Sequence, residues 1–188
     1  MDGIIKKYFD TYRDKQQLPP ELAAVTQGRL VDGPTIQNWR FWKTGLAFVD
    51  KDHSKLIGAF DDCLVSEGKH VPVDYKTRGY ALRDDSTSYY ILQMSCYGFL
   101  LSKNGYPTSD YAYLIFYIPE VFTDKGVVNF SVQVKKVEIY PVEKVYQVFR
   151  DALVVLQKNE PPEAALTCSF CAWAKSVGHS DQKQLKLF

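Results

Sequence analysis

Two aspartates and a lysine stand in this chain at spacings that would let them act together on a substrate. Asp61 closes the run Gly58-Ala59-Phe60-Asp61, and Asp74 and Lys76 follow in Val73-Asp74-Tyr75-Lys76. Along an extended strand alternate side chains share a face. Val71, Val73 and Tyr75 make one apolar face, so Asp74 and Lys76 project together from the other. In the preceding segment Ile57, Ala59, Asp61, Cys63 and Val65 point one way, and Asp62 points the opposite way. If the two strands are neighbours, Asp61 sits beside Asp74 and Lys76. Paired carboxylates repel each other, and a hard divalent cation such as Mg²⁺, shared with substrate phosphate, offsets that cost. Such an ion polarises a phosphoryl oxygen and activates water. Lys76 is then placed to orient the water or to stabilise charge developing in the transition state.

Elements that must position these residues follow from periodicity. Residues 3–14 carry Ile4, Ile5, Tyr8, Phe9 and Tyr12 at helical spacing, and Leu18-Pro19-Pro20 stops that helix. A short helix is expected at 21–24 and another at 35–43, after the Asp32-Gly33-Pro34 turn. The period then switches to two. Strands at 45–50, 55–65 and 70–76, joined by tight turns, predict a three-stranded antiparallel meander. A helix over 87–103 ends at Asn104-Gly105, strands follow at 111–119 and 128–139, and Pro141 opens a helix over 142–157. The fold class is therefore α/β, a central mixed sheet (antiparallel meander plus further strands) flanked by helices. One domain is expected over 1–160, with 161–188 a C-terminal extension holding Cys168-x-x-Cys171 and a loose polar tail at 179–184.

G-x-F-D, a hairpin, D-Y-K, and Q-x-x-x-Y on the next helix together resemble the PD-(D/E)XK nuclease superfamily, most of all its RecB-type exonucleases and their CRISPR-associated relatives. Residues 56–117 carry the likeness, which extends across the chain. It implies a restriction-endonuclease-like core and a Mg²⁺- or Mn²⁺-dependent DNase, exonucleolytic in mode, with DNA as its partner. By the same resemblance Asp61 and Asp74 are metal ligands, the Tyr75 carbonyl is a third, and Lys76 is the catalytic lysine. Gln93 and Tyr97 match Q-x-x-x-Y, which implies contact with the DNA backbone. They are four apart and share a helix face, with Leu92, Cys96, Phe99 and Leu100 on the buried side. Arg78 and Arg83 follow the catalytic strand and suit phosphate. Relatives also take a His or Glu ligand from an upstream helix; Glu21 is the candidate, since His53 falls in the turn between the first two strands. A lone D-x-K is as easily a surface ion pair, so the combination carries the weight. The rival reading is a catalytically inactive nucleic-acid-binding module of the same fold, against which the intact Asp–Asp–Lys set argues.

The remaining features bound the reading. Hydrophobic residues are 46% of the chain, ample for one core, and the net charge of +1 neither supports nor excludes a DNA partner. No apolar stretch approaches the ~20 residues of a membrane helix, and the first residues lack the apolar block of a signal peptide, so the cytoplasm is expected. Cys63 and Cys96 are expected as packing residues. RecB-like relatives often bind an iron–sulfur cluster through one upstream cysteine and a C-terminal group. Here no cysteine precedes Cys63 and four ligands are the rule, so Cys168 and Cys171 are expected as a remnant rather than a cluster site. Tyr89-Tyr90 and Trp39/Trp42 are candidates for base stacking, with core packing the commoner fate. No G-x-x-x-x-G-K-[ST] loop is present, so no ATP-driven part is expected.

Overall fold

A computed structural model describes residues 1–177, so the polar tail expected at 179–184 lies outside the described residues. The chain divides into two units, Met1–Arg150 and Asp151–Phe188.

In the first unit, α1 (Asp2–Asp14) buries Ile5, Phe9 and Arg13, spaced four apart on one face. The single turn α2 (Pro20–Ala23) follows, with proline in its first turn, and then β1 (Arg29–Leu30). α3 (Gly33–Arg40) starts where the Asp32 carboxylate accepts the Thr35 N–H at 3.0 Å. β2 (Ala47–Val49), β3 (Lys55–Ile57), β4 (Asp62–Ser66) and β5 (Lys69–Thr77) come next, then α4 (Ser88–Lys103). β6 (Tyr111–Phe122), β7 (Val128–Glu138) and α5 (Val142–Leu156) complete the series. The central sheet has five strands in the order β1-β4-β5-β6-β7, with β5 and β6 parallel and the other neighbours antiparallel. Parallel strands need a long crossover, and α4 supplies it. This is the mixed sheet flanked by helices that the sequence implies.

The three-stranded meander does not form. β2 and β3 pair in a separate two-stranded sheet, and the segment expected as one strand over 55–65 breaks at residues 58–61. The cause is close packing against α4. A Cβ on Gly58 would lie 2.5 Å from Leu100 Cδ1 and 3.5 Å from the Tyr97 ring, so the chain leaves the strand to pass the helix. The Gly58 N–H donates to the Leu46 carbonyl at 3.1 Å, and that of Phe60 to the Trp39 carbonyl at 3.0 Å. Ile57, Ala59 and Phe60 carry apolar residues on through this segment, so sequence pattern alone does not reveal the break.

Two cores sandwich the sheet. Ile5, Phe9 and Leu22 pack on Leu64, Val71, Val73 and Ile115 on one face; Met94, Phe99 and Leu100 of α4, with Trp39 and Val145, pack on Cys63, Leu114 and Phe116 on the other. Truncating a fully buried phenylalanine such as Phe9 would cost about 3–5 kcal/mol. Cys63 is a buried packing residue as expected, and Cys96 is half-buried. In the second unit, α6 (Ser169–Ser176) begins at Cys168, whose sulfur accepts the Cys171 N–H at 3.4 Å.

Candidate metal centre

β4 begins at Asp62, opposite Val73, so residues 74–77 of β5 run on with no β4 neighbour. Asp61 sits just before β4, not within a strand, and fills part of this gap: its Oδ2 accepts the Tyr75 N–H at 3.1 Å. The N–H and C=O of one strand residue point to the same edge. The Tyr75 carbonyl therefore also opens on the gap. Asp74 and Lys76 rise from β5 on the α4 face, as alternation predicts.

Asp74 is 1% exposed. Its Oδ1 accepts the Gln93 amide at 3.0 Å. Lys76 Nζ lies 2.6 Å from Oδ2, an ion pair without hydrogen-bond direction, and Oδ2 is left buried with no hydrogen bond. Burial first, and the neighbouring Asp61 carboxylate second, push the Asp74 pKa up to about 6 against the pull of Lys76. Two carboxylates crowded together, one of them buried and paired with Lys76, fit a hard divalent ion. Among the described residues no group of three or more His, Cys, Asp or Glu side chains is placed to hold a metal. The available set is two carboxylates and a main-chain oxygen, which suits Mg²⁺, an ion that keeps several waters or takes substrate phosphate, better than an all-protein cage.

Gln93 ties the centre together. Its amide nitrogen donates to Asp74 and, at 2.9 Å, meets the Tyr97 hydroxyl, while its oxygen accepts Lys76 Nζ at 3.2 Å. Tyr97 is 9% exposed; its hydroxyl donates to the Ala59 carbonyl at 2.8 Å and its ring stacks on Phe60 at 4.4 Å. The hydroxyl that the sequence resemblance aims at DNA is thus turned inward, onto the segment that carries Asp61. Leu92, expected on the buried side of this helix, is instead exposed.

One lysine contact and one buried network around the site have no counterpart in local sequence spacing. Lys6 Nζ, from α1, lies 3.0 Å from Asp61 Oδ1. Behind the site Asp62, fully buried, points to the opposite face as expected. Its Oδ2 accepts Arg13 Nη2 at 2.6 Å, Arg40 Nη2 at 3.1 Å and the Tyr75 hydroxyl at 2.6 Å. Arg40 Nε also donates to the Asp61 carbonyl at 2.9 Å, and Arg13 donates to the Val31 carbonyl. This network fixes the backbone on which Asp61 stands. Only helix docking brings these arginines together, so no local spacing announces them.

The other sequence candidates distribute as follows. Glu21 is not brought to Asp61 and Asp74: its oxygens accept the Tyr117 hydroxyl at 2.6 Å and the Tyr8 hydroxyl at 3.0 Å, on the α1 face of the sheet. Burial and this carboxylate raise both phenol pKa values. The Arg78 guanidinium lies over the Tyr80 ring at 4.6 Å, and Lys76 Nζ over the Tyr90 ring at 4.5 Å. Trp39, a stacking candidate, is core against Phe60 and Tyr106, whereas Trp42 is exposed.

Comparison with known proteins finds the family model described as the PD-(D/E)XK nuclease superfamily matching residues 4–176. No curated protein matches the chain.

Proposed function

The chain belongs to the PD-(D/E)XK nuclease superfamily, and on that premise we propose that it is a Mg²⁺- or Mn²⁺-dependent deoxyribonuclease of RecB-like, exonucleolytic type. The observation that carries this reading is Asp74: a buried carboxylate crowded by the Asp61 carboxylate, with the Lys76 ammonium 2.6 Å from its Oδ2. A carboxylate kept at that cost beside a second carboxylate and a lysine favours a catalytic centre over a module that only binds nucleic acid.

The proposed ligands are the Asp61 and Asp74 carboxylates and the Tyr75 carbonyl. Glu21, held by two phenols, stays outside this set. A divalent ion bound there supplies Lewis-acid polarisation of the phosphate and activation of water. Hydrolysis forms a P–O bond to water and breaks one to the leaving sugar oxygen, which takes up a proton. The Lys76 ammonium, steadied by Gln93, orients the water and stabilises charge as it develops on phosphorus-bound oxygen. Tyr97 and Arg40 hold the Ala59 and Asp61 carbonyls and so fix the backbone from which the Asp61 carboxylate would reach an ion. Arg78 and Gln93 are the proposed contacts to the DNA backbone. No helix of the described residues is long and apolar enough to cross a membrane, and the proposed setting is the cytoplasm.

Purified protein should degrade DNA when Mn²⁺ or Mg²⁺ is added. Lys76→Ala should lose that activity by at least about 100-fold while keeping its fold by circular dichroism. Equal activity in the variant would sink the assignment.

A further inference from the structure

Beyond Lys76 the strand opens into a cavity of about 420 Å³ lined by Arg78, Tyr80, Arg83, Asp85, Tyr89 and Tyr90, with Ser86 at its floor. Three rings and two guanidinium groups converge there. Tyr89 is 73% exposed and Tyr80 62%, and the Arg78 guanidinium lies over one face of the Tyr80 ring at 4.6 Å. Tyr90 joins the cavity to the reacting centre, because Lys76 Nζ sits 4.5 Å from its ring centroid. The one carboxylate in the lining, Asp85, accepts the Tyr89 hydroxyl at 3.3 Å and so orients that ring. A second groove shares Arg83 and Ser86 and adds Asp84, Gln133 and Lys135, so Arg83 and Lys135 outweigh its one carboxylate along the way onward.

We propose that this cavity is a nucleotide subsite that stacks an unpaired base on its tyrosines and clamps the adjoining phosphate with Arg78 and Arg83, so that the protein acts on single-stranded nucleic acid. This rests on the nuclease reading and narrows its substrate. A base in a duplex already has both faces stacked and cannot lie on a tyrosine, whereas every unpaired base can. Arginine supplies the planar fork that phosphate oxygens match. The volume is that of a small-ligand site, enough for one nucleotide.

The test is binding in EDTA, where no cleavage occurs, read by fluorescence anisotropy with three probes: a short oligothymidylate, an oligouridylate of the same length, and a DNA duplex. The full chain should bind oligothymidylate at least about tenfold more tightly than duplex. Tyr89→Ala and Tyr80→Ala should each weaken that binding roughly 5- to 100-fold, the range that loss of one base–aromatic stack gives, with duplex binding within about twofold of wild type. Arg83→Gln should lower the salt dependence of oligothymidylate binding by about 0.7 in slope, one phosphate contact on a single strand. Duplex bound as tightly as single strand, or Tyr89→Ala binding like wild type, would overturn the subsite. Oligouridylate bound more than about tenfold above oligothymidylate would overturn its assignment to DNA. The two readings fail separately. Single-strand preference without cleavage in Mn²⁺ removes the nuclease and keeps the subsite, whereas cleavage without the preference does the reverse.

Discussion

Replacing Asp74 by asparagine should stabilise the metal-free protein, and the effect should depend on pH in a defined way. Burial and Asp61 raise the Asp74 pKa from 3.8 to about 6. Between those values the folded state holds a proton that the unfolded chain has released, so stability falls as pH rises. The favourable contribution is fully present below about pH 4 and gone above about pH 6. Its size is about two pH units at 1.36 kcal/mol each, or about 3 kcal/mol. The asparagine side chain keeps the volume and the oxygen that accepts the Gln93 amide but has no charge to desolvate. The variant and the wild type should therefore be about equally stable at pH 4. At pH 8 in EDTA, Asp74→Asn should be more stable by up to about 3 kcal/mol. Urea denaturation across that pH range, extrapolated to water, reads the difference directly. Added Mn²⁺ should then stabilise the wild type and leave the variant unchanged, because only the former binds it in the folded state. A stability difference independent of pH, or a variant weaker than wild type at pH 8, would show that burying the Asp74 charge costs the fold nothing.

Other consequences follow from the surrounding contacts. Asp62→Ala strips two buried guanidinium groups and the Tyr75 hydroxyl of their shared acceptor, and should cost about 3–5 kcal/mol by urea denaturation; a loss under about 1 kcal/mol would show that the network is not structural. Tyr97→Phe leaves the Ala59 carbonyl without its donor, at about 1–3 kcal/mol, and should weaken Mn²⁺ binding in calorimetry. If it lowered DNA affinity in EDTA and left Mn²⁺ affinity alone, the inward-facing role would be wrong. Lys6 competes with an ion for Asp61 from a partly exposed position; an exposed pair of this kind is worth about 0.5–1 kcal/mol, so Lys6→Gln should tighten Mn²⁺ binding about two- to fivefold. Weaker binding would mean that the lysine helps to hold the site.

What could be seen in the sequence is what has a short period. Asp74 and Lys76 share a face because a strand alternates, and Gln93 lies one helical turn from Tyr97, so both pairs could be placed without coordinates. The mixed sheet was legible for the same reason, from strands interleaved with one long helix at 87–103. The break at 58–61 was not, because Ile57, Ala59 and Phe60 continue the apolar pattern while Gly58 yields to Leu100, more than forty residues away. Asp61 thereby reaches Asp74 as a loop residue at a strand mouth. The same limit explains Tyr97, Lys6, Arg40 and Glu21. Which polar group each meets depends on how α1, α3 and α4 dock on the sheet, and helical spacing gives a face without naming its partner. Glu21 shows this best: an acidic residue on the right helix was drawn to two phenols on the far face.

On the proposed mechanism, Asp61 and Asp74 hold a divalent ion needed for DNA cleavage. End-labelled DNA incubated with the protein over a Mn²⁺ titration tests it most directly, with Asp61→Asn and Asp74→Asn alongside. Cleavage should rise with Mn²⁺ to saturation in the wild type, stop with EDTA, and be absent from both variants at every concentration. Cleavage that persists in EDTA, or that either variant retains at the wild-type rate, would contradict it.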